Sequence, residues 1–487
     1  MMPSSAAIEE AAKKYAIKNA MDYGKANEGA VLSKVIAELR VGKDDIKSLS
    51  LKVKEIVAEV NLLTKEELAR EYKKYEEEFG EAAKEKAAMS ARHNFSIEGA
   101  TEANFITRFP PEPGGYMHLG HAKPLFIEDE LRRLYKGKLF LYFDDTNPDN
   151  ERQEFVDSFR KDIGWLGVTF DREYYASDSI PVLYEYAKQA IEIKAAYVCT
   201  CSAEAISAGR TEGKACEHKA SSTNRNAELW EKMLKGEFVD NEAVLRLNGD
   251  MSAANTTLRD PTLFRIKKTR HYRQGRKYAV WPTYDFCTPI LDSINGITDV
   301  IRSKEYEMRD ELYFAVLERL KLSMPRITSI ARLEISNNLT SKRKIRQLIA
   351  ERKVVGWDDP RLVTISGLRR RGIRPEAIRE FALSFGMGKS ESSVGLEKLL
   401  AYNRKIVEPG ATRLLTSEVA AEGYIRCNLA IIGNLMDGDA FNEDSLIVRQ
   451  IYAEKSVERL VEGGIARFKG VGLFKLEDAD KRYFLSL

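Results

Sequence analysis

Two histidines stand one helical turn apart in Pro111–Lys123, PEPGGYMHLGHAK. The glycines ahead of them let backbone approach a phosphate closely, and His118 and His121 fall where a helix would begin. Free N–H groups, a helix dipole and two imidazoles would all favour an anion there. The same His-x-x-His pair could instead take a metal, or simply cap the helix. A second group is Asp144 and Asp145 in FDDTNP, at the end of an apolar run. A carboxylate there suits an ammonium or a ribose hydroxyl, since ligands of open α/β sheets bind beyond the strands' carboxyl ends. A solvated turn is the bland alternative. A third group, NLTSKRKI from Asn338 to Ile345, sets Ser341, Lys342 and Arg343 before a helix, a clamp for polyphosphate. Alone it is a weak signal, because basic tetrapeptides are common. Cys199-Thr-Cys201 and, 14 residues on, Cys216-Glu-His218 form two tight ligand pairs. Their chemistry suits a tetrahedral Cys₃His zinc site with a structural role; ordinary loop thiols are the alternative. Cys287, Cys427 and His93 read as packed residues. His271 reads the same way, with an RNA contact as the alternative, because it lies in a basic stretch.

Elements must position these groups. Residues 1–92 carry apolar residues at three- and four-residue spacing with glycine at the breaks, which predicts helices. From Asn104 the pattern is strand, Pro/Gly-rich turn, helix and a second strand (LFLYFDD), the opening of a parallel α/β sheet. The run from Tyr197 to Lys277 interrupts it, and the α/β pattern resumes at WPTYDF. Residues 341–408 read as helical with basic faces. After Pro409, short apolar runs divided by turn residues predict a small β unit.

The composition excludes whole classes. Of 487 residues, 44% are hydrophobic and 31% charged, an ordinary globular balance. No apolar run approaches the ~18 residues of a membrane span. The first residues, MMPSSAAIEEAAKK, lack the apolar core of a secretory signal. Five cysteines, an odd number, argue against a disulfide framework and for a reducing compartment, so a cytoplasmic protein is expected. Net charge is only +3, yet Arg265–Lys277 holds seven bases and no acid, and Ser341–Arg374 holds 11 bases against three acids. Such stretches suit a polyanion, or else are solvated faces.

Taken together, TRFPPEPGGYMHLGHAK, YFDDTNP, WPTYDF, LTSKRKI and GWDDPRLVTISGLRRRG resemble the glutamyl/glutaminyl subgroup of class I aminoacyl-tRNA synthetases. The resemblance runs through residues 8–487, and AYNRKIVEP together with the N-terminal helices is similar to the archaeal glutamyl form. It implies a multidomain α/β protein. A helical domain (1–100) precedes a Rossmann-type parallel sheet (101–196 and 279–345) split by an inserted acceptor-end domain with the metal site (197–278). A helical stem-contact domain (346–408) and a short, β-barrel-like anticodon-binding domain (409–487) follow. The implied reaction is ATP-dependent ligation of L-glutamate to the 3′ end of tRNA-Glu through glutamyl-adenylate, releasing pyrophosphate and AMP. In organisms without a glutaminyl ligase, tRNA-Gln is a further acceptor.

The resemblance also assigns residues. His118, His121 and Lys342 match the catalytic positions. Pro111, Glu112, Gly120, His121, Ser341, Lys342 and Arg343 match ATP-binding ones, with Mg²⁺ on the phosphates. Arg108, Asp145, Tyr284 and Arg302 match the amino-acid site, Asp145 taking the ammonium. Arg369, Arg370 and Arg371 are expected on tRNA phosphates. Glutaminyl members carry an uncharged residue where Arg302 stands. A guanidinium pairs with a carboxylate and is under-compensated opposite an amide, which favours glutamate over the glutaminyl alternative. More distant rivals are a tRNA-modifying glutamyl transferase, opposed by GLRRRG and the tail, and a silent RNA-binding paralogue, opposed by His118, His121 and Lys342. Three departures from the family pattern are visible. The loop before Ser341 lacks its first lysine, as is usual in this subgroup. Asp299 stands on an expected pocket wall where relatives often carry histidine. Only 78 residues follow Pro409, which predicts reduced anticodon contact.

Overall fold

A computed structural model describes residues 4–39, 46–75, 95–102 and 104–487. His93 lies outside them. The chain divides into two compact units, Met1–Asn94 and Phe95–Leu487, six residues short of the expected boundary at 100.

In the first unit, four helices are described: α1 (Ser5–Tyr23), α2 (Glu28–Leu39), α3 (Ile46–Val60) and α4 (Lys65–Tyr72). Ala12 and Ala16 on α1 are small enough to bring it, with Ile17, against Val31 and Val35 of α2 and Leu49, Val53 and Val57 of α3. The predicted period of three and four is therefore the buried stripe.

The second unit begins with β1 (Ile106–Phe109), α5 (Leu119–Leu134), β2 (Lys138–Phe143), α6 (Gln153–Trp165), β3 (Arg172–Tyr175) and α7 (Ile180–Glu192). β1, β2 and β3 are parallel, with Arg108 level with Phe140 and Tyr142 level with Tyr174. The insert follows: β4 (Ala196–Cys199), α8 (Ala203–Glu212), α9 (Thr223–Leu234), β5 (Val244–Leu247), β6 (Thr262–Ile266) and β7 (Val280–Pro282). Its four strands form an antiparallel sheet in sequence order. Then come α10 (Tyr284–Ile294), β8 (Asp299–Ser303), α11 (Asp310–Arg319) and β9 (Arg326–Ile330), with β8 and β9 parallel. β8 comes up beside β1, where Thr298 N–H donates to the Ile106 carbonyl at 2.9 Å. The order is thus β3-β2-β1-β8-β9. It reverses between β1 and β8, the place where such sheets open a crevice. Leu139, Leu141 and Phe143 of β2 enter one core while Phe140 and Tyr142 enter others. Burial of both faces explains why LFLYF reads as a continuous apolar run.

Beyond β10 (Leu333–Ile335) lie α12 (Lys342–Ala350), α13 (Ile365–Arg371), α14 (Pro375–Leu383), β11 (Ser392–Val394) and α15 (Glu397–Val407). Ile345 and Leu348 of α12 pack with Val354, Leu362, Leu435 and Met436, while α13, α14 and α15 join the core of the sheet. Ile365, Leu368, Ile378 and Phe381 share it with Phe109, Leu119, Leu139 and Phe159. The tail carries β12 (Thr412–Leu414), β13 (Thr416–Ser417), β14 (Tyr424–Ile432), β15 (Met436–Asp437), β16 (Ala440–Phe441), β17 (Leu446–Glu454), β18 (Ile465–Phe468), β19 (Gly472–Asp478) and β20 (Tyr483–Ser486). Seven of these strands form one sheet, ordered β12-β18-β19-β20-β14-β17-β13. Among the described residues no helix is long and apolar enough to cross a membrane.

The three arginines expected on RNA phosphates have another use. Arg371 is only 4% exposed, and its Nε donates to the Ser486 carbonyl at 3.0 Å. Arg370 pairs with Glu477 of β19 at 2.7 Å, and Arg369 with Asp162 of α6 at 3.2 Å. The segment GLRRRG is a junction between the α/β core and the tail. Gly372 closes it at φ +100°, where a Cβ would lie 2.8 Å from Leu487. Arg371→Ala should strand the Ser486 carbonyl and leave a cavity, at a cost of about 1–3 kcal/mol. Melting of Arg371→Ala should fall well below that of Arg370→Ala, whose ion pair is more exposed. Equal melting of both variants and the parent would contradict the junction.

Candidate functional site

The histidine loop is held from three sides. Leu119 N–H donates to the Val363 carbonyl and Ile365 N–H to the Met117 carbonyl, at 3.0 and 2.8 Å. The string LVTIS is therefore the backbone brace of HLGH. His118 caps α5: its Nδ1 accepts from Gly120 N–H at 3.1 Å, while His118 N–H donates to His121 Nδ1 at 3.2 Å. The rings lie 3.9 Å apart. A Cβ on Gly120 would meet the His118 ring at 2.9 Å, so only glycine permits this stack. With both Nδ1 atoms accepting, each ring carries its proton on Nε2. Burial pushes His118 down to about 3, helped by the Lys342 and Arg332 charges. Burial also carries His121 well below its ordinary value, with His118 and Lys342 adding to it. The pair is neutral and presents Nε2–H donors. A His–His metal site is not what the histidines form.

The strand ends surround a cavity of about 920 Å³, which His121 and Lys342 line. The Lys342 stem crosses Gly115, where a Cβ would meet it at 2.9 Å, and its Nζ reaches the Glu112 carboxylate at 3.1 Å. Glu112 lines the cavity with Pro111. Ser341 caps α12 through Lys344 N–H, and Arg343 is exposed.

The amino-acid end departs from expectation in three ways. Asp145 does not face the cavity. It is fully buried, accepting from Ser177 N–H and Oγ at 2.8 Å each and from the Tyr272 hydroxyl at 2.9 Å. Its neighbour Asp144 lines the cavity instead, and burial, with Glu112 nearby, pushes it up to about 7. Successive residues leaving a strand point opposite ways, so only one of the two could. Second, Arg108 is already committed. It grips Asp292 through Nε and Nη2 at 2.8 and 3.1 Å, with both side chains essentially unexposed. Burial opposes its charge, but Asp292 outweighs this and holds it firmly on. Third, Asp299 is no pocket wall. It opens β8, at the strand's other end, and takes Arg326 in a fork at 2.8 and 2.7 Å.

Arg302 and Tyr284 are where expected. Both line the cavity, Arg302 Nη1 lies 3.4 Å from the Tyr284 hydroxyl, and Asp310 pairs with Nη2. Burial pushes Tyr284 up to about 12, with Arg302 pulling the other way.

Sequence reasoning missed several lining groups. Glu151 and Glu128 are buried carboxyls whose burial holds them well above the carboxylate range. Arg265 lines the cavity with no ion-pair partner among the described residues. Asp292, which holds Arg108 without lining the cavity, lies two turns after Tyr284 on one helix. His271 is fully buried, its Nε2 at 3.1 Å from the Asp145 carbonyl and 3.3 Å from Glu151. It holds the FDDTNP loop rather than facing RNA.

Near the start of the insert, Cys199, Cys201, Cys216 and His218 converge, their ligand atoms all within 4.8 Å of one another. Cys199 and Cys216 sulfurs are 3.8 Å apart and Cys201 lies 3.4 Å from His218 Nδ1. The group could hold a metal ion. Cys287 and Cys427 are buried elsewhere.

Residues 104–409 match the model of the catalytic domain of class I tRNA synthetases for glutamate and glutamine. A glutamate–tRNA ligase of Nitrosopumilus maritimus is 42% identical over 409 residues, 84% of this chain and 71% of that protein. One of Cenarchaeum symbiosum is 36% identical over 476 residues, 96% of this chain and 83% of the relative. One of Pyrococcus furiosus is 39% identical over 411 residues, covering 83% and 72%.

The neutral histidines make a pH prediction. Their folded values lie below the ordinary 6.5, His118 at about 3, so the unfolded chain takes up these protons first. Their contribution to stability is full above pH 6.5 and is lost progressively as pH falls from there toward the folded values, about 3 for His118. At pH 5.5 the ¹⁵N shifts of both rings should report neutral imidazole protonated at Nε2. Imidazolium shifts at that pH would contradict the site as drawn.

Proposed function

The chain belongs to the class I tRNA synthetases of the glutamate and glutamine kind, and from that premise we propose that it is a glutamate–tRNA ligase. The observation that carries the choice of glutamate is Arg302, a guanidinium only 6% exposed on the cavity wall. Glutamate and glutamine differ little in shape, so shape separates them poorly. A buried cation opposite a neutral amide is left under-compensated, whereas a carboxylate completes it.

The chemistry then follows from the residues. The α-carboxylate of glutamate attacks the α-phosphorus of ATP, which enters with Mg²⁺, and pyrophosphate leaves. Positioning and charge stabilisation suffice, with no covalent bond to the protein. Nε2–H of His118 and His121 donates toward the phosphate oxygens. Lys342 exchanges its Glu112 contact for the leaving pyrophosphate. Asp144, not Asp145, receives the substrate ammonium. The terminal ribose hydroxyl of tRNA then attacks the mixed anhydride and AMP departs. Exposed bases that suit RNA phosphates are Lys268, Arg270 and Arg276 of the insert, Arg343 and Lys344 of α12, and Arg352 just after it. This activity belongs in the cytoplasm, in keeping with five thiols, none in a disulfide.

Zinc suits the cysteine cluster. A tetrahedral site with Zn–S of about 2.3 Å has ligand edges of about 3.8 Å, and Cys199 and Cys216 stand 3.8 Å apart. Three thiolates on Zn²⁺ leave one negative charge, which Arg246 offsets from 3.7 Å to Cys216 and 3.9 Å to Cys199. Thr200 at 3.0 Å from His218 Nε2 holds the ring with Nδ1 free to ligate.

Two tests follow. Tracking labelled glutamate and glutamine onto tRNA, Arg302→Leu should lose about 10²-fold in kcat/KM for glutamate, roughly 2.7 kcal/mol, and narrow its preference. Intact glutamate charging by that variant removes the assignment. Metal analysis should find about one zinc per chain, lost in Cys199→Ser together with more tRNA affinity than ATP affinity. A zinc-free, fully active parent would reject the structural metal.

A further inference from the structure

Arg302 is a buried guanidinium on the cavity wall whose hydrogen bonding is incomplete. Its Nη2 pairs with Asp310, its Nη1 lies 3.4 Å from the Tyr284 hydroxyl, and its Nε is buried with no acceptor. The Tyr313 ring lies 5.2 Å from the guanidinium carbon. The Tyr313 hydroxyl is turned away, donating to Asp292 at 2.9 Å, and Asp292 is itself taken by Arg108. Among the described residues, Asp310 is the one carboxylate in contact with Arg302.

Asp310 stands outside the cavity. Arg302 lines it with Tyr284, Ser303 and Tyr306, and Asp310 does not. The side chains are 5% and 31% exposed respectively, so the carboxylate holds a buried cation from its wetter side. Asp310 opens the ten-residue helix α11, where the helix dipole favours a negative charge. That is the blander role, and it needs separating from the one proposed.

We infer that Asp310 is a positioning residue for Arg302, fixing the plane of the guanidinium on the cavity wall so that it meets the side-chain carboxylate of the substrate. The inference rests on the glutamate reading above. A guanidinium grips a carboxylate through a planar fork, so affinity depends on the orientation of that plane as well as on charge. Arg108 on Asp292 shows the fork in this same wall. Without Asp310, Arg302 keeps its charge but loses the contact that sets its plane. Substrate affinity should suffer while phosphate chemistry does not.

The test uses the full chain with Asp310→Ala, Asp310→Asn and Asp310→Glu. Steady-state tRNA charging gives KM and kcat for glutamate and glutamine and KM for ATP, and melting is followed beside it. Asp310→Ala should raise KM for glutamate about tenfold or more and leave kcat at saturation within about threefold. KM for ATP should not move, and the preference over glutamine should narrow. Asp310→Glu should recover most of the lost affinity. If the alanine variant fails to fold, Asp310→Asn, similar in shape without the charge, carries the same readout. An unchanged KM beside lowered melting would leave Asp310 as a helix-terminal acid and overturn the inference. A lowered KM would make Asp310 a competitor of the substrate and overturn it equally. A parent enzyme that prefers glutamine would overturn the glutamate reading and this inference with it. Normal glutamate charging by the parent and all three variants removes this inference alone.

Discussion

The buried fork between Arg108 and Asp292 is what the rest of the site depends on. It joins the end of β1 to a helix 184 residues further along the chain. Those residues include the whole insert, so the two halves of the sheet register through this pair and through the Thr298–Ile106 contact beside it. A buried ion pair is stable only when its remaining donors and acceptors are met. Here they are: Asp292 also accepts from Tyr313, and Arg108 Nη1 reaches the Ile301 carbonyl at 3.5 Å. The Ile301 contact fixes β8 one residue before Arg302. A pocket for a charged amino acid is thereby framed by one buried pair.

Four of the cavity's cations rest on carboxylates, while Arg265 has no such partner among the described residues. Arg108, Arg302 and Arg309 are each held by a carboxylate, Asp292, Asp310 and Asp285 respectively. Lys342 rests on Glu112. Glu128 and Glu151 are held toward their neutral forms by burial, and both histidines are uncharged. A cavity that must admit triphosphate and a dicarboxylic acid would otherwise bury several bare charges in an empty state. Each committed cation becomes available only as a ligand oxygen replaces or shares its partner.

Local chemistry was legible in the sequence and long-range commitment was not. The strand–loop–helix of PEPGGYMHLGHAK and the Cys₃His cluster follow from short strings whose spacing sets their geometry, whereas the places of Arg302 and Tyr284 were implied by the family resemblance. The choice between Asp144 and Asp145 turned on one residue of strand register, which two adjacent identical side chains cannot reveal. GLRRRG looked like an RNA contact because a run of charge is normally solvated. It is instead a junction, since its partners Asp162, Glu477 and Ser486 lie far away in the chain. The helices α13 to α15 likewise look independent in sequence, yet their apolar faces complete the core beneath β1 and β2. His271, in contrast, is buried as the packed residue it was expected to be, although its basic neighbours suited RNA.

The central claim is that this cavity selects a carboxylate side chain through a fixed, buried guanidinium. The most direct measurement is tRNA-dependent ATP–pyrophosphate exchange by the unmutated chain, with glutamate and glutamine supplied separately at equal concentration. Exchange driven by glutamate about 10²-fold or more over glutamine is the expected result. Comparable exchange with the two amino acids, or faster exchange with glutamine, would contradict it.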